Sequence, residues 1–237
     1  MYPETFTPYY CAAGVPPIPG GAMFTGREGR SRFVAHHFAP LWNGSVLDVG
    51  CFKRELRAHL PTGCFYVGID LMGQPDLVVN LDRGHIPFAD ASFDVVVCVD
   101  VLEHLECIHR VFDELLRVSS NRVLVSLPNC WHGNWRWLLP GAPRHSGKYY
   151  GLPAQRPPDR HRWFFNTIEA VEFLRIRSKQ AGAELEYLDF SMSASPGRRW
   201  LMRHLLGKDH WAWSAAAVWA VIKKGSPCSV QPMDGPC

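Results

Sequence analysis

Three aspartates close three apolar runs. Asp48 falls near the end of SVLDVG, Asp70 ends FYVGID 22 residues later, and Asp100 ends FDVVVCVD. Short runs rich in Val and Ile read as buried strands. In an open parallel sheet, ligands bind beyond the carboxyl ends of the strands, near the switch in strand order. A carboxylate at the end of the second strand can accept both hydroxyls of an adenosine ribose. Gly50, just after the first run, lets backbone N–H groups approach such a ligand. One aspartate in such a place can equally cap a helix. Three in this order favour a nucleoside-like ligand.

Histidines are the candidate acid–base groups. His104 follows the fourth strand in VLEHL, where it can act as a base, hold a metal with Glu103, or cap the helix start. His132 in PNCWHGNW and His161 in DRHRWFF are the next candidates. No metal is expected, because there is no C-x-x-C pair and no His/Cys cluster with zinc spacing.

The most individual stretch is Trp131 to Trp163. It holds six basic residues (Arg136, Arg144, Lys148, Arg156, Arg160, Arg162) against one acid, Asp159. Trp131, Trp135, Trp137, Tyr149, Tyr150 and Trp163 interleave with them. Aromatic faces with fixed positive charge suit a sugar, a phosphorylated or carboxylated metabolite or a lipid-linked glycan. They also suit unstacked bases. Asn129, Trp131, Trp135, Arg136 and Tyr150 are the candidate acceptor contacts. The same residues can also pack a lid over the sheet edge, with Trp163 and Phe164 as its anchors.

The elements that must position these residues alternate along the chain. Arg27–Trp42 reads as a helix, 45–50 as a strand, Phe52–Leu60 as a helix stopped by Pro61, and 65–70 as a second strand. LVVNL (77–81) and the fully apolar 93–100 follow as strands, the latter central. Leu102–Val118 has helical spacing, with Leu105, Ile108, Val111, Phe112, Leu115 and Leu116 on one face. A fifth strand spans 122–128. Asn166 or Thr167 caps a helix running to about Gly182. Strands at 184–190 and 213–224 finish the sheet. Apolar strands alternating with helices predict an α/β fold, a parallel sheet covered on both faces.

Residues 1–26, rich in Pro, Gly and aromatics, read as an irregular arm, 27–225 as one domain, and 226–237 as a loose tail. The 237-residue length and the 47% apolar and 20% charged shares fit a globular protein. A net charge of +3 does not announce nucleic acid. There is no membrane-length apolar run and no convincing signal peptide. Eight cysteines without paired spacing, with Cys98 inside an apolar run, point to free thiols and a cytoplasmic setting.

VLDVGC, FYVGID, IPFADASFDVVVCVDVLEHL, FDELLRV and VLVSLPN together resemble a class I S-adenosylmethionine-dependent methyltransferase of the type 11 group. The resemblance runs from about Ser45 to Asn129 and is most specific over Ile86–Leu105. It implies a Rossmann-like, doubly wound seven-stranded sheet, mostly parallel with an antiparallel last strand. It implies S-adenosyl-L-methionine as cofactor, with Asp48, Gly50 and Cys51 beside the methionine half. Asp70 would hold the ribose, Leu71 the adenine face, Asn80 and Leu81 the adenine edge, and Asp100 and Val101 the floor near the sulfonium.

Such proteins usually read D-x-G-x-G-x-G, whereas this chain reads Asp48-Val-Gly50-Cys51-Phe52-Lys53-Arg54. Either the turn differs, with Phe52 in the helix–sheet core and Lys53 reaching the cofactor carboxylate, or Phe52 blocks the pocket. Three functions follow: an O-methyltransferase of a small molecule or glycan, an RNA methyltransferase, or a non-catalytic binding protein on this fold. The first is preferred and nucleic acid is the less expected partner. Oligomeric state is not legible.

Overall fold

The structure is a computed structural model. It describes residues 9–10, 14–19, 24, 26–132, 154–155, 159–192, 197, 200, 204 and 215–225. Trp135, Arg136 and Tyr150 lie outside these, as do most of the aromatic and basic stretch and the C-terminal tail.

Among the described residues, eight strands form one sheet in the order β1-β7-β8-β6-β5-β2-β3-β4. They are β1 (Tyr9–Tyr10), β2 (Ser45–Val49), β3 (Phe65–Asp70), β4 (Leu77–Val78), β5 (Phe93–Val99), β6 (Ser119–Pro128), β7 (Glu184–Met192) and β8 (Ala215–Lys223). β2 to β6 pair in parallel, and β8 runs antiparallel to both β6 and β7. This is the expected seven-stranded sheet with one strand added. β1 comes from the supposedly irregular arm and pairs antiparallel with Leu188 and Tyr187. Val15 and Ile18 of the same arm are buried, and the Ile18 N–H donates to Asp189 Oδ2 at 2.6 Å.

The sheet divides the core because side chains alternate along each strand. Leu47, Val49, Val96 and Cys98 face α2 (Ile108–Val118) and α3 (Thr167–Gln180) in one cluster. Val46, Val95, Val97, Leu124 and Trp219 face α1 (Gly26–His37) in the other. The period of two therefore turns Asp48 toward α1. α3 begins at Asn166, whose side chain accepts from the Ile168 and Glu169 N–H groups while Glu169 returns a bond to Asn166 N–H. That is a capping box.

The helix expected over Phe52–Leu60 is only a 3₁₀ turn at Glu55–His59, and that expected over Arg27–Trp42 ends at His37 before a 3₁₀ turn at Ala39–Leu41. Two further elements are shorter than their apolar spacing suggests. The strand expected over 77–81 pairs only at Leu77–Val78, and the Asn80 side chain instead accepts from Asp82 N–H to start a 3₁₀ turn at Leu81–Arg83. The helix expected from Leu102 breaks into a 3₁₀ turn at Leu102–His104 before α2 starts at Ile108. Between β4 and β5, Arg117 of α2 pins the IPFAD loop. It donates to the Ile86 and Phe88 carbonyls and to Glu114 and Asp90.

Among the described residues no helix is long and apolar enough to cross a membrane. Cys51, Cys64, Cys98 and Cys130 are free thiols.

Candidate active site

Gly50 follows the end of β2 and Asp100 the end of β5, on the two sides of the switch in strand order. The chain leaves β2 in one direction across the sheet and β5 in the other, which opens a crevice between them. A cavity of about 820 Å³ lies there. Gly50, Asp70, Leu71, Asn80, Leu81, Asp100 and Val101 line it. Its volume suits a nucleoside-sized ligand.

Asp70 is fixed by both adjoining turns. The Phe52 N–H donates to its Oδ2 at 2.8 Å and the Met72 N–H to its Oδ1 at 3.0 Å. Each carboxylate oxygen can accept a further bond. The carboxylate is thus oriented on the cavity wall with acceptor capacity to spare. Asp100 adopts a left-handed backbone, φ 52°. The Ser126 hydroxyl donates to its Oδ1 and Arg30 Nη1 to its Oδ2, each at 2.5 Å. Arg30 thereby ties α1 across the cavity floor.

The loop after β2 answers the question raised by Phe52. Phe52 has φ 48° and Arg54 φ 62°. Both residues keep the left-handed conformation that glycine would supply at those positions, so the turn retains its path without the glycines. Phe52 does not enter the helix–sheet core. It lines the cavity, with the Arg27 guanidinium 4.2 Å above its ring. Arg54 turns away to pair with Asp76. Lys53 is exposed and does not line this cavity, where a role was expected of it. The cations at this end are Arg27 and Arg30 of α1. Their spacing of three residues on a helix was the available signal for them.

A left-handed residue that carries a β-carbon costs about 1–2 kcal/mol relative to glycine. Phe52→Gly is therefore expected to be more stable than Phe52→Ala by about 1 kcal/mol, since both lose the ring and only alanine keeps the strain. Urea unfolding of the pair checks this, and equal midpoints would show that the turn is unstrained.

Asp48 and Cys51 do not reach the large cavity. They line a neighbouring void of about 30 Å³ with Arg27, Arg30 and Glu55. Burial pushes the Asp48 carboxyl up to about 7, against the Tyr66 hydroxyl, which donates to it at 2.6 Å, and against Arg30. Burial likewise pushes the Cys51 thiol up to about 12, so it is no nucleophile. Asp48 keeps its proton in the folded protein to near pH 7, whereas the unfolded chain loses it above about pH 4. Folding then takes up a proton between those values, and the stabilisation present below pH 4 is lost as pH rises toward 7. Asp48→Asn removes this titration. Its stability relative to the natural chain is expected to rise from pH 4 to 7, by up to about 4 kcal/mol. Urea midpoints at the two pH values check this, and parallel pH profiles would refute it.

Glu103, His104 and His161 also line the cavity. The broken helix start aims Glu103 and His104 inward. The Arg160–Trp163 strand of loop is stitched over them. Arg162 and Trp163 N–H groups donate to the Glu103 carbonyl at 2.9 and 3.2 Å, and Trp163 Nε1 donates to the Leu105 carbonyl at 2.7 Å. Trp163 is thus the anchor expected, and Phe164 packs edge-on against Trp131. Neither Trp131 nor Asn129 lines the cavity. Asn129 is buried, donating to the Ala215 carbonyl and accepting from Trp131 N–H. His132 sits in the same turn and does not line the cavity either. Of the three candidate histidines, the structure brings His104 and His161 together, ring centroids 4.4 Å apart.

Residues 47–125 match the family described as a methyltransferase domain. These residues are about a third of the chain. The match spans β2 to β6, the part that builds the crevice, and S-adenosylmethionine is the cofactor expected of such a domain. The methyltransferase fold extends to the remaining strands. It is similar to the [4+2]-cyclase SpnF at 14% identity, covering 91% of this chain and 90% of that one, with a TM-score of 0.53. It is similar to a methyltransferase dependent on S-adenosylmethionine from Archaeoglobus fulgidus at 15% identity, covering 84% and 95%, TM-score 0.52. A third similar structure is the small RNA methyltransferase HEN1, at 15% identity, covering 84% of this chain and 25% of that one, TM-score 0.54. No curated protein matches the sequence.

Proposed function

We propose that this chain is an S-adenosylmethionine-dependent O-methyltransferase acting on a small molecule or glycan. The observation that carries the reading is Asp70, held by two backbone N–H groups on the wall of the switch-point cavity within a methyltransferase domain. The residues present fit the cofactor. Asp70 can accept both ribose hydroxyls, Leu71, Asn80 and Leu81 flank the place of the base, and Arg27 offers a cation for a carboxylate. When bound, S-adenosylmethionine supplies an electrophilic methyl on a sulfonium.

The protein's part is then alignment and proton management. Gly50 and Asp100 shape the floor between β2 and β5. An acceptor hydroxyl aligned with that methyl would have to give up its proton. Glu103, His104 and His161 are groups that line the cavity and can ease that loss. His104 Nδ1 lies 2.7 Å from Asp159 Oδ1, which orients the ring.

An RNA acceptor would need a broad unpaired basic face. Among the described residues Arg30, Arg54, Arg117, Arg122, Arg162 and Arg177 all pair with carboxylates. The test is transfer of labelled methyl from S-adenosylmethionine to a panel of phenols, sugar hydroxyls and structured RNA. Label on a phenol or sugar supports the reading. Label on RNA alone, or cofactor binding with no transfer to any hydroxyl, overturns it.

A further inference from the structure

We propose that Glu103, His104 and His161 form a divalent-metal site on the wall of the cavity, and that the ion takes an acceptor hydroxyl as its next ligand. The ion site stands on geometry alone, while its role toward the acceptor rests on the methyltransferase reading above.

Glu103 Oε1 lies 3.6 Å from His104 Nε2 and 3.8 Å from His161 Nε2. One ligand atom from each of the three lies within 4.8 Å of the others. Two ligands about 2.1 Å from one ion in a tetrahedral arrangement stand about 3.4 Å apart. The two separations from Glu103 exceed that by only a few tenths of an ångström. The two rings cross at 79°. Their Nε2 atoms therefore converge on Glu103 instead of stacking past it.

The far side of each ring is held. His104 Nδ1 meets Asp159 Oδ1 at 2.7 Å, and His161 Nδ1 lies 3.7 Å from Cys130 Sγ. A carboxylate behind a ligating histidine fixes its tautomer and raises its basicity. Burial separates this cluster from an ordinary surface ion pair. The side chains of Glu103 and His161 are only 1% and 3% exposed. A charge so deeply buried is costly unless it is paired or bound to metal.

All three residues face the cavity. An ion held from one side keeps positions open toward it, as catalytic metal sites do. Two imidazoles and one carboxylate suit Mn²⁺, Fe²⁺, Co²⁺ or Zn²⁺ better than Ca²⁺ or Mg²⁺. Such an ion would lower the pKa of a hydroxyl bound to it, so that water can take the proton. Sequence spacing hid the site, because His161 follows His104 by 57 residues.

The test uses the full chain stripped by a chelator, with Co²⁺ as the probe. Uptake of one Co²⁺ per chain, with visible absorption bands, is expected. Affinity should fall about 100-fold or more in His161→Gln. It should fall about 10–100-fold in Asp159→Asn, which keeps all three ligands and alters only the support. Circular dichroism reports folding, and the partly exposed Asp159 serves if His161→Gln does not fold. No uptake by the natural chain at millimolar Co²⁺, or equal uptake by both folded variants, overturns the site. Catechol, as a diol probe, should shift the bands of the Co²⁺-loaded protein, and unshifted bands overturn the acceptor role. Calorimetry of S-adenosylmethionine on metal-free protein separates the two readings. Cofactor binding without Co²⁺ uptake sinks the ion site alone. Co²⁺ uptake without cofactor binding sinks the methyltransferase reading and, with it, the acceptor role.

Discussion

Asp70→Ala is expected to weaken binding of both S-adenosylmethionine and S-adenosylhomocysteine by at least about 100-fold. Hydrogen bonds to a charged group contribute about 1.5–3 kcal/mol each, and a ribose offers two hydroxyls. About 3 kcal/mol already corresponds to a factor above 100. The loss should be alike for the two ligands, because the ribose is common to both. If Asp70 acted instead by attracting the sulfonium, S-adenosylhomocysteine, whose sulfur carries no charge, would lose little. The variant also frees the Phe52 and Met72 N–H groups that the carboxylate now holds. Isothermal calorimetry with both ligands, beside a circular dichroism check of folding, reads the outcome. Retained affinity would place the cofactor away from the end of β3.

Gly50→Ala is expected to cost about 3 kcal/mol of folding stability. Gly50 has φ 81°, and a β-carbon there would lie 2.2 Å from Val101 Cγ2. The left-handed backbone accounts for about 1–2 kcal/mol and the overpacking for about 1–3. Val101 is β-branched and packs against the core, so it cannot swing aside freely. Gly63→Ala provides the control. Gly63 also has positive φ, 103°, but nothing lies within 4 Å of an added β-carbon. Denaturation of the two variants should therefore separate strain from contact. Equal losses would mean that the floor between β2 and β5 is loose, and Gly50 would lose its place in the site.

The frame of the protein was written in its apolar runs. Val46, Val95, Val97, Leu124 and their alternating neighbours specify buried parallel strands, and the aspartates at the strand ends mark the crevice. What failed were the short elements. Val78 is 68% exposed at the sheet edge, so an apolar run there gains little from pairing further. Phe52 and Arg54 read as helix formers, yet the turn needs left-handed backbone at both. Leu105 fits the helical period while the chain around it breaks the helix. That break is what aims Glu103 and His104 at the cavity. Arg27 and Arg30 of α1 became site residues only through packing, since nothing local says which way a helix lies against a sheet. Asn129 looked polar enough to touch a substrate, but its amide brackets β6 to β8. The meeting of His161 with His104 depends on a loop returning across the cavity, which no local pattern encodes.

The altered loop after β2 is the point on which the cofactor reading turns. The most direct measurement is calorimetric titration of the natural chain, freed of any retained ligand, with S-adenosylmethionine and S-adenosylhomocysteine. Saturable binding of both, one per chain, is expected, because Phe52 keeps the backbone path of a glycine and its ring stands at the cavity wall beneath Arg27. No binding of either ligand by folded protein would mean that the Phe52 ring fills the crevice, and the methyltransferase function would be withdrawn.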